Sequence, residues 1–419
     1  MAKFAKLFAL NASGIRVASA YSSLGPINKF DDVFISLTPP VDATKQLAAE
    51  QVVHLMDGWR YGASAIAALL RNSPNEAIHF AYYAELRAAM SLYSGSGIRL
   101  ELGDNYYVDS SGKKFPQHAK KNEERELHTH TIAWSLWNEW ITRSDAQDLI
   151  LDGIRLAPSI SLREVAPVLA LFNTSRTIGT WGYDLVSQPK ADRSERNNAS
   201  YKARYASKAL TKMEGRDLNI VLTLCRILLP AQSGLTNSLA FDTALIQYLA
   251  MTTIESKVPD NEADREIRVA DEQIKFINQL SSNTGQPKDF INELFAIVDP
   301  AIFEVFKLAA EKTSRPLNVL CRAIFMLRLA TLSVEKNTNN ASVSVVSTWL
   351  LNWLDYSGIR SIDADFDPYD LSDSFGGAIE HHAASKFTDL PHELWTPENA
   401  ANSYMLARPE CSVGWSILR

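Results

Sequence analysis

From Ala43 to Leu70 apolar side chains recur every three or four positions, at Leu47, Val52, Leu55 and Met56 and then through an alanine-rich run from Ala63. That period predicts a long helix. Asn72, Ser73 and Pro74 break it, with Ser73 and Pro74 suited to cap and start the next one. A second helix is expected from about Asn75 to Tyr93, with Ile78, Tyr82, Leu86, Ala89 and Tyr93 on one face and Ala81, Ala84 and Ala88 allowing close approach. Ser94 to Gly97 ends it, and the period then shortens to two. Ile98 to Leu102 and Asn105 to Asp109, separated at Gly103 and Asp104, predict a β-hairpin. A polar loop containing Gly112 and Pro116 leads to a third helix, about 122–143. Its stripe is Leu127, His130, Trp134, Trp137 and Ile141, so His130 stands where a leucine is expected. A polar ring in a packing stripe needs a partner or a purpose.

The flanks are read the same way. Residues 1–42 are expected to form an extended arm with a short strand at Val33 to Leu37, ended by Pro39 and Pro40. Residues 144–188 read as further helix interrupted at Pro158 and Pro167. From Leu218 a succession of helices is expected, roughly 218–229, 237–254, 263–281, 287–296, 299–313, 315–334 and 342–356, with prolines and Gly285 near their ends. The predicted fold is mainly α: a helical bundle over 43–189 with a small β-hairpin insertion, a basic segment over 190–217, and a second all-helical region over 218–419.

Composition narrows the function classes. The 419 residues are 46% hydrophobic, ample for a large core, and the formal net charge of −6 argues against a protein that simply coats nucleic acid or an anionic membrane. The apolar N-terminal run is broken by Lys3, Lys6 and Asn11, so no signal sequence is expected, and no window reads as the ~20 apolar residues of a membrane span. Cys225, Cys321 and Cys411 are far apart and odd in number, which fits packing residues in a reducing, cytoplasmic setting.

Chemistry concentrates in two places. Arg125 offers a permanent planar charge for a phosphate, and His130, five residues on, can move a proton near neutrality. Together they could cleave RNA without a metal, the 2′-hydroxyl attacking the adjacent phosphate. Residues five apart lie about 140° apart on a helix, so the pair needs a frayed first turn or a second copy of the helix. A capping Arg125 and a hydrogen-bonded core His130 are the plainer alternative. His128 counts as a third candidate catalytic group; with Glu124 and His118 it could instead bind a metal, although His128 and His130 diverge. The second place runs from Lys190 to Arg216, with eight positive residues against three negative ones and Tyr201 and Tyr205 interleaved. Lys202, Arg204, Tyr205 and Lys208 are its candidate nucleic-acid contacts, against the plainer reading of a solvated helix or linker. Asp363, Asp365 and Asp367 begin like a calcium loop, but Pro368 and Ser374 break the pattern. Glu380, His381, His382 and His392 form a weaker cluster. No phosphate-binding loop, dinucleotide fingerprint, Gly-x-Ser-x-Gly elbow or His-Glu-x-x-His occurs, so no cofactor and no metal are expected.

The run from Ala77 to Ile98, AIHFAYYAELRAAMSLYSGSGI, resembles the first core helix of HEPN-type proteins, especially the YaaC-like branch, over about residues 45–185. The resemblance implies a four- or five-helix bundle that dimerises to bring two Arg-x4-6-His motifs together, in metal-independent ribonucleases of toxin–antitoxin and phage-defence systems. It implies that Arg125 holds the phosphate and His130 acts as general acid or base. Active members often carry Asn, Asp or His directly after the arginine; here it is Glu126. The expected function is therefore an RNA-acting, homodimeric effector. The alternative is a non-catalytic interaction subunit of a multi-protein defence or nucleic-acid complex.

Overall fold

The structure, a computed structural model, describes residues 2–21, 42–101, 104–117, 129–169, 188–202, 213–228, 238–259, 264–296, 300–338 and 368–408. Three short helices and strands aside, it is built from long helices, and the mainly α expectation holds. The N-terminal half comprises α1 (Ala2–Asn11), α2 (Ile15–Ala20), α3 (Ala43–Leu70), α4 (Pro74–Gly95), α5 (Thr129–Trp140), α6 (Ser144–Gly153), α7 (Leu162–Val168) and α8 (Gln188–Tyr201). The C-terminal half comprises α9 (Gly215–Ile227), α10 (Ser238–Ser256), α11 (Arg265–Thr284), α12 (Lys288–Ala296), α13 (Pro300–Ala310), α14 (Pro316–Thr338), α15 (Pro368–Ala384) and α16 (Ala400–Leu406).

Asp42 starts α3 by accepting the Thr44 amide at 2.9 Å, and Pro74 starts α4, where its missing N–H costs nothing. Helix α4 lies between α3 and α14 and packs extensively on both. Small residues set that spacing. A Cβ on Gly58 would stand 2.6 Å from Leu327 Cδ2 of α14, closer than a side chain tolerates without a shift, and at an ordinary 3.5 Å from the Ala84 carbonyl of α4.

Helix α14 is the apolar centre of the C-terminal half, and it also carries two buried arginines. Arg322 pairs with Asp192 on α8 at 2.8 Å, and Arg328 with Asp242 on α10 at 2.9 Å. By length and composition α14 is apolar enough to cross a membrane, which the count of apolar residues did not anticipate; 94% of that window is buried inside the fold. Because α14 packs on α3 and α4, the hydrophobic core runs without a break across residue 218.

Two local expectations change. Residues 2–20 are helical, not extended: Phe4, Ala5 and Phe8 share a buried face, a helical period in what reads as mixed sequence. Val33 to Leu37 lies outside the described residues, as does 342–356. The hairpin of β1 (Ile98–Arg99) and β2 (Asn105–Val108) gains a third antiparallel strand, β3 (Lys114–Gln117), from the expected polar loop. Phe115 stacks on Tyr107 at 5.1 Å, while Pro116 is tolerated because β3 is an edge strand. Gly97, at φ +86°, lets the chain leave α4 against Ser13, where a Cβ would meet the Ser13 carbonyl at 2.5 Å. A further hairpin joins β4 (Arg155–Ala157) and β5 (Ile160–Ser161) around Pro158.

Candidate active site

The tryptophan stripe fixes α5 in place. Trp134, Trp137 and Trp140 are all at most 1% exposed; Trp140 Nε1 donates to Ser96 Oγ at 2.8 Å, and Tyr93 donates its hydroxyl to the Ala133 carbonyl at 2.7 Å. His130 sits at the start of this helix, half-buried, with its ring stacked on Tyr82 (centroids 5.9 Å apart) and edge-on to Tyr83 (5.8 Å). Arg125 and His128, with Glu124, Glu126, Leu127 and His118, lie outside the described residues.

Hydrogen bonding orders the imidazole. Trp134 Nε1 donates to the Tyr82 hydroxyl at 3.5 Å, and that hydroxyl stands 3.2 Å from His130 Nδ1. The indole only donates, so the phenol oxygen accepts from Trp134 and can either donate its own proton to Nδ1 or accept from an Nδ1–H, according to the tautomer of His130. Burial pushes the Tyr82 phenol up to about 12, so it remains a donor throughout the neutral range.

A second imidazole and two guanidiniums complete the cluster. His79, one turn before Tyr83 on α4, packs on the Tyr83 ring at 5.0 Å with its Nδ1 2.9 Å from Ser200 Oγ of α8. The two histidines thus flank the same tyrosine. Partial burial, and secondarily Arg196, hold the His79 pKa below the usual imidazole value. Arg196 stands over both Tyr82 and Tyr83 at 5.1 Å, and Arg193 donates to Thr131 Oγ1 at 3.4 Å. Tyr61 continues the ring surface, stacked on Tyr83 at 5.4 Å.

The basic segment is therefore only partly a solvated face. Asp192 is buried against Arg322 and accepts the Ser314 hydroxyl, and Arg196 is 5% exposed. Lys202, just beyond α8, is exposed; Arg204, Tyr205 and Lys208 lie outside the described residues. At the far end of the segment Arg216 pairs with Glu304 at 2.6 Å.

Beneath Tyr82, one turn along α4, Glu85 is fully buried with neither carboxylate oxygen hydrogen-bonded among the described residues. Desolvation, and then the negative charge of Asp192, raise its pKa to about 8 against the opposing pull of Arg322. Glu85 is thus a neutral acid at pH 7.

His79, Tyr82, Tyr83, Arg193 and Arg196 were not singled out as site residues by sequence reasoning. The available signals were the four-residue spacing of His79 and Tyr83 and the three-residue spacing of the arginines, each of which places two side chains on one helical face. Among the described residues no group of three His, Cys, Asp or Glu could hold a metal ion. His381 bonds Asn399 and His382 bonds Ser403, so both serve packing of the α15–α16 corner. Asp363, Asp365 and Asp367 lie outside the described residues. Cys225 and Cys321 are buried, which pushes both thiols up to about 12. Comparison of the chain with protein-family models, with curated proteins and with solved structures found no match.

Proposed function

We propose that this chain is an RNA-acting effector of the HEPN type, cleaving the RNA backbone without a metal. One observation carries the reading: two imidazoles, His79 and His130, flank one tyrosine ring, with the guanidiniums of Arg193 and Arg196 beside them. Metal-free cleavage needs a base to take the 2′-hydroxyl proton, an acid to protonate the departing 5′-oxygen, and fixed positive charge for the phosphate. His79, held neutral near pH 7, suits the base. His130 suits the acid in its imidazolium form, in which Nδ1–H can donate to the Tyr82 hydroxyl and Nε2–H is the proton to be transferred. The arginines supply charge, and Tyr61 and Tyr83 a surface on which a base can stack. Arg125 would add to the phosphate contacts. A cytoplasmic, homodimeric defence effector is the setting that the HEPN resemblance implies.

The second reading is a HEPN-like interaction subunit without catalysis, and it also has an observation behind it: Arg196 is 5% exposed and His130 Nδ1 is occupied by Tyr82, as in a structural polar cluster. Incubation with total RNA, followed by mapping of cleavage ends, separates the two. The catalytic reading expects 2′,3′-cyclic phosphate ends from wild type and none from His130→Ala or His79→Ala. No cleavage by wild type, or equal cleavage by all three proteins, sinks it in favour of the interaction reading.

A further inference from the structure

A cavity of about 450 Å³ lies where the two halves of the chain meet, away from the histidine cluster. Its apolar wall is aliphatic, with Leu69, Met213, Ile220, Leu308 and Leu317 and no aromatic ring, and the rest of its lining is polar and carries both arginines and carboxylates. The first turns of three helices open onto it: α4 at Ser73 and Pro74, α9 at Glu214 and Arg216, and α14 at Arg315 and Pro316.

These starts are not equally satisfied. Helix α9 closes its own end with a capping box between Glu214 and Asp217, so those carboxylates are already engaged by backbone amides. Ser73 makes no side-chain cap on α4. Helix α14 is preceded by an arginine, a cation at the positive end of a helix, and among the described residues Arg315 has no ion-pair partner. Arg216 adds a second guanidinium, shared with Glu304, and Glu311 is turned to the Asn318 amide at 2.9 Å. Asn318, 1% exposed and lining the cavity, spends its amide group on Leu308 and Glu311, and its Oδ1 has no partner among the described residues.

We infer that this cavity binds a small organic anion with an aliphatic body, its carboxylate or phosphate head held by Arg315 and the uncapped start of α4, and a hydroxyl donating to Asn318 Oδ1. The volume is in the range of small-molecule sites, and the cavity pairs an apolar wall with polar groups that can fix a ligand's orientation. The start of α4, which has no side-chain cap, and an arginine with no carboxylate partner among the described residues favour an anion. The aliphatic wall, without an aromatic ring, favours an alkyl body over a nucleobase. The unsatisfied buried acceptor asks for a donor on the ligand. The 311–315 segment on this wall also clamps Asp192, through Ser314 and through the Glu311 and Thr313 carbonyls that hold Arg322.

Isothermal titration calorimetry of the full chain tests this independently of any RNA cleavage. The probes are 3-hydroxyoctanoate, octanoate and octyl phosphate, with octylamine as the opposite charge. Saturable binding is expected for the hydroxylated acid or the phosphate, the tighter one identifying the head group, with octanoate weaker than its hydroxylated form and octylamine silent. Arg315→Gln, at an exposed position that leaves folding intact, should weaken binding about tenfold, near the 1.4 kcal/mol that such a change represents. Leu317→Trp should abolish it by filling the cavity. The inference is overturned if no anion binds, if octylamine binds equally, or if both variants retain wild-type affinity. Equal affinity for octanoate and 3-hydroxyoctanoate would overturn the part assigned to Asn318.

Discussion

Replacing Glu85 by glutamine should stabilise the protein, and more so as pH rises. The carboxyl is fully buried, without a hydrogen bond among the described residues, and its pKa is raised from the usual 4.5 to about 8 by desolvation and by Asp192. Below pH 4.5 the group is neutral in both folded and unfolded chains and contributes no pH dependence. Between that value and about 8 the unfolded chain releases its proton while the folded chain retains it, so unfolding is favoured by about 1.4 kcal/mol for each pH unit. At pH 7 this amounts to about 3 kcal/mol, a large share of an ordinary stability margin of about 5–15 kcal/mol. Above about 8 both states are ionised and the loss levels off.

Glutamine is close in shape to the protonated acid and does not titrate. Urea unfolding of wild type and Glu85→Gln at half-unit steps from pH 5 to 9 should give curves that nearly coincide at the acid end. They should separate to about 3 kcal/mol at pH 7, with the variant the more stable. If the gap between them is constant across that range, Glu85 is ionised in the folded state and the account of its burial is wrong.

Breaking the buried Arg322–Asp192 pair from one side, with Arg322→Met, should cost about 3–5 kcal/mol because Asp192 stays buried without its counter-charge. Removing both charges, as Asp192→Leu with Arg322→Met, should cost less than that single change; denaturant unfolding of the three proteins checks the ordering. Gly58→Ala should lower stability by about 1–3 kcal/mol, since its Cβ would meet a fully buried Leu327 at 2.6 Å; thermal unfolding with an unchanged midpoint would refute the close approach of α3 to α14. Tyr82→Phe should change the tautomer balance of His130, read by long-range nitrogen–proton NMR, and should cost about 1 kcal/mol through the unpaired Trp134 indole. An unchanged nitrogen spectrum would show that the phenol does not set the tautomer.

Elements governed by period were legible in the chain, and groups whose role depends on a distant partner were not. The helices at 43–70 and 74–95 and the stripe of Trp134, Trp137 and Ile141 follow from spacing alone, because burying one face is a local property of a helix. His130 stood out for the same reason, as a polar member of that stripe. Arg196 did not, since a charge among charges reads as solvated until a tyrosine pair from another helix covers it. Asp192 likewise gives no local sign that its counter-charge lies 130 residues away. Residues 2–20 were misread because ten residues hold too few turns for Phe4 and Phe8 to outweigh the lysines between and beside them.

Arg125 and His130, five residues apart on one helix, would point about 140° apart, which led to the demand for a second copy of the motif. Among the described residues, the guanidiniums that reach Thr131 and the Tyr82 ring, next to His130, belong to Arg193 and Arg196, from α8 of the same chain. The Asp192–Arg322 pair ties α8 to α14, so the placement of these arginines beside α4 is coupled to an ion pair whose other member sits in the C-terminal half. Two kinds of loss should therefore be separable in one protein. On the proposed function, His130→Ala should abolish cleavage at a stability cost of about 1 kcal/mol, for the lost contact with Tyr82, whereas Asp192→Asn should shift the arginines and cost more stability. An Asp192→Asn protein that kept full stability and lost cleavage would break the link between that ion pair and the position of α8.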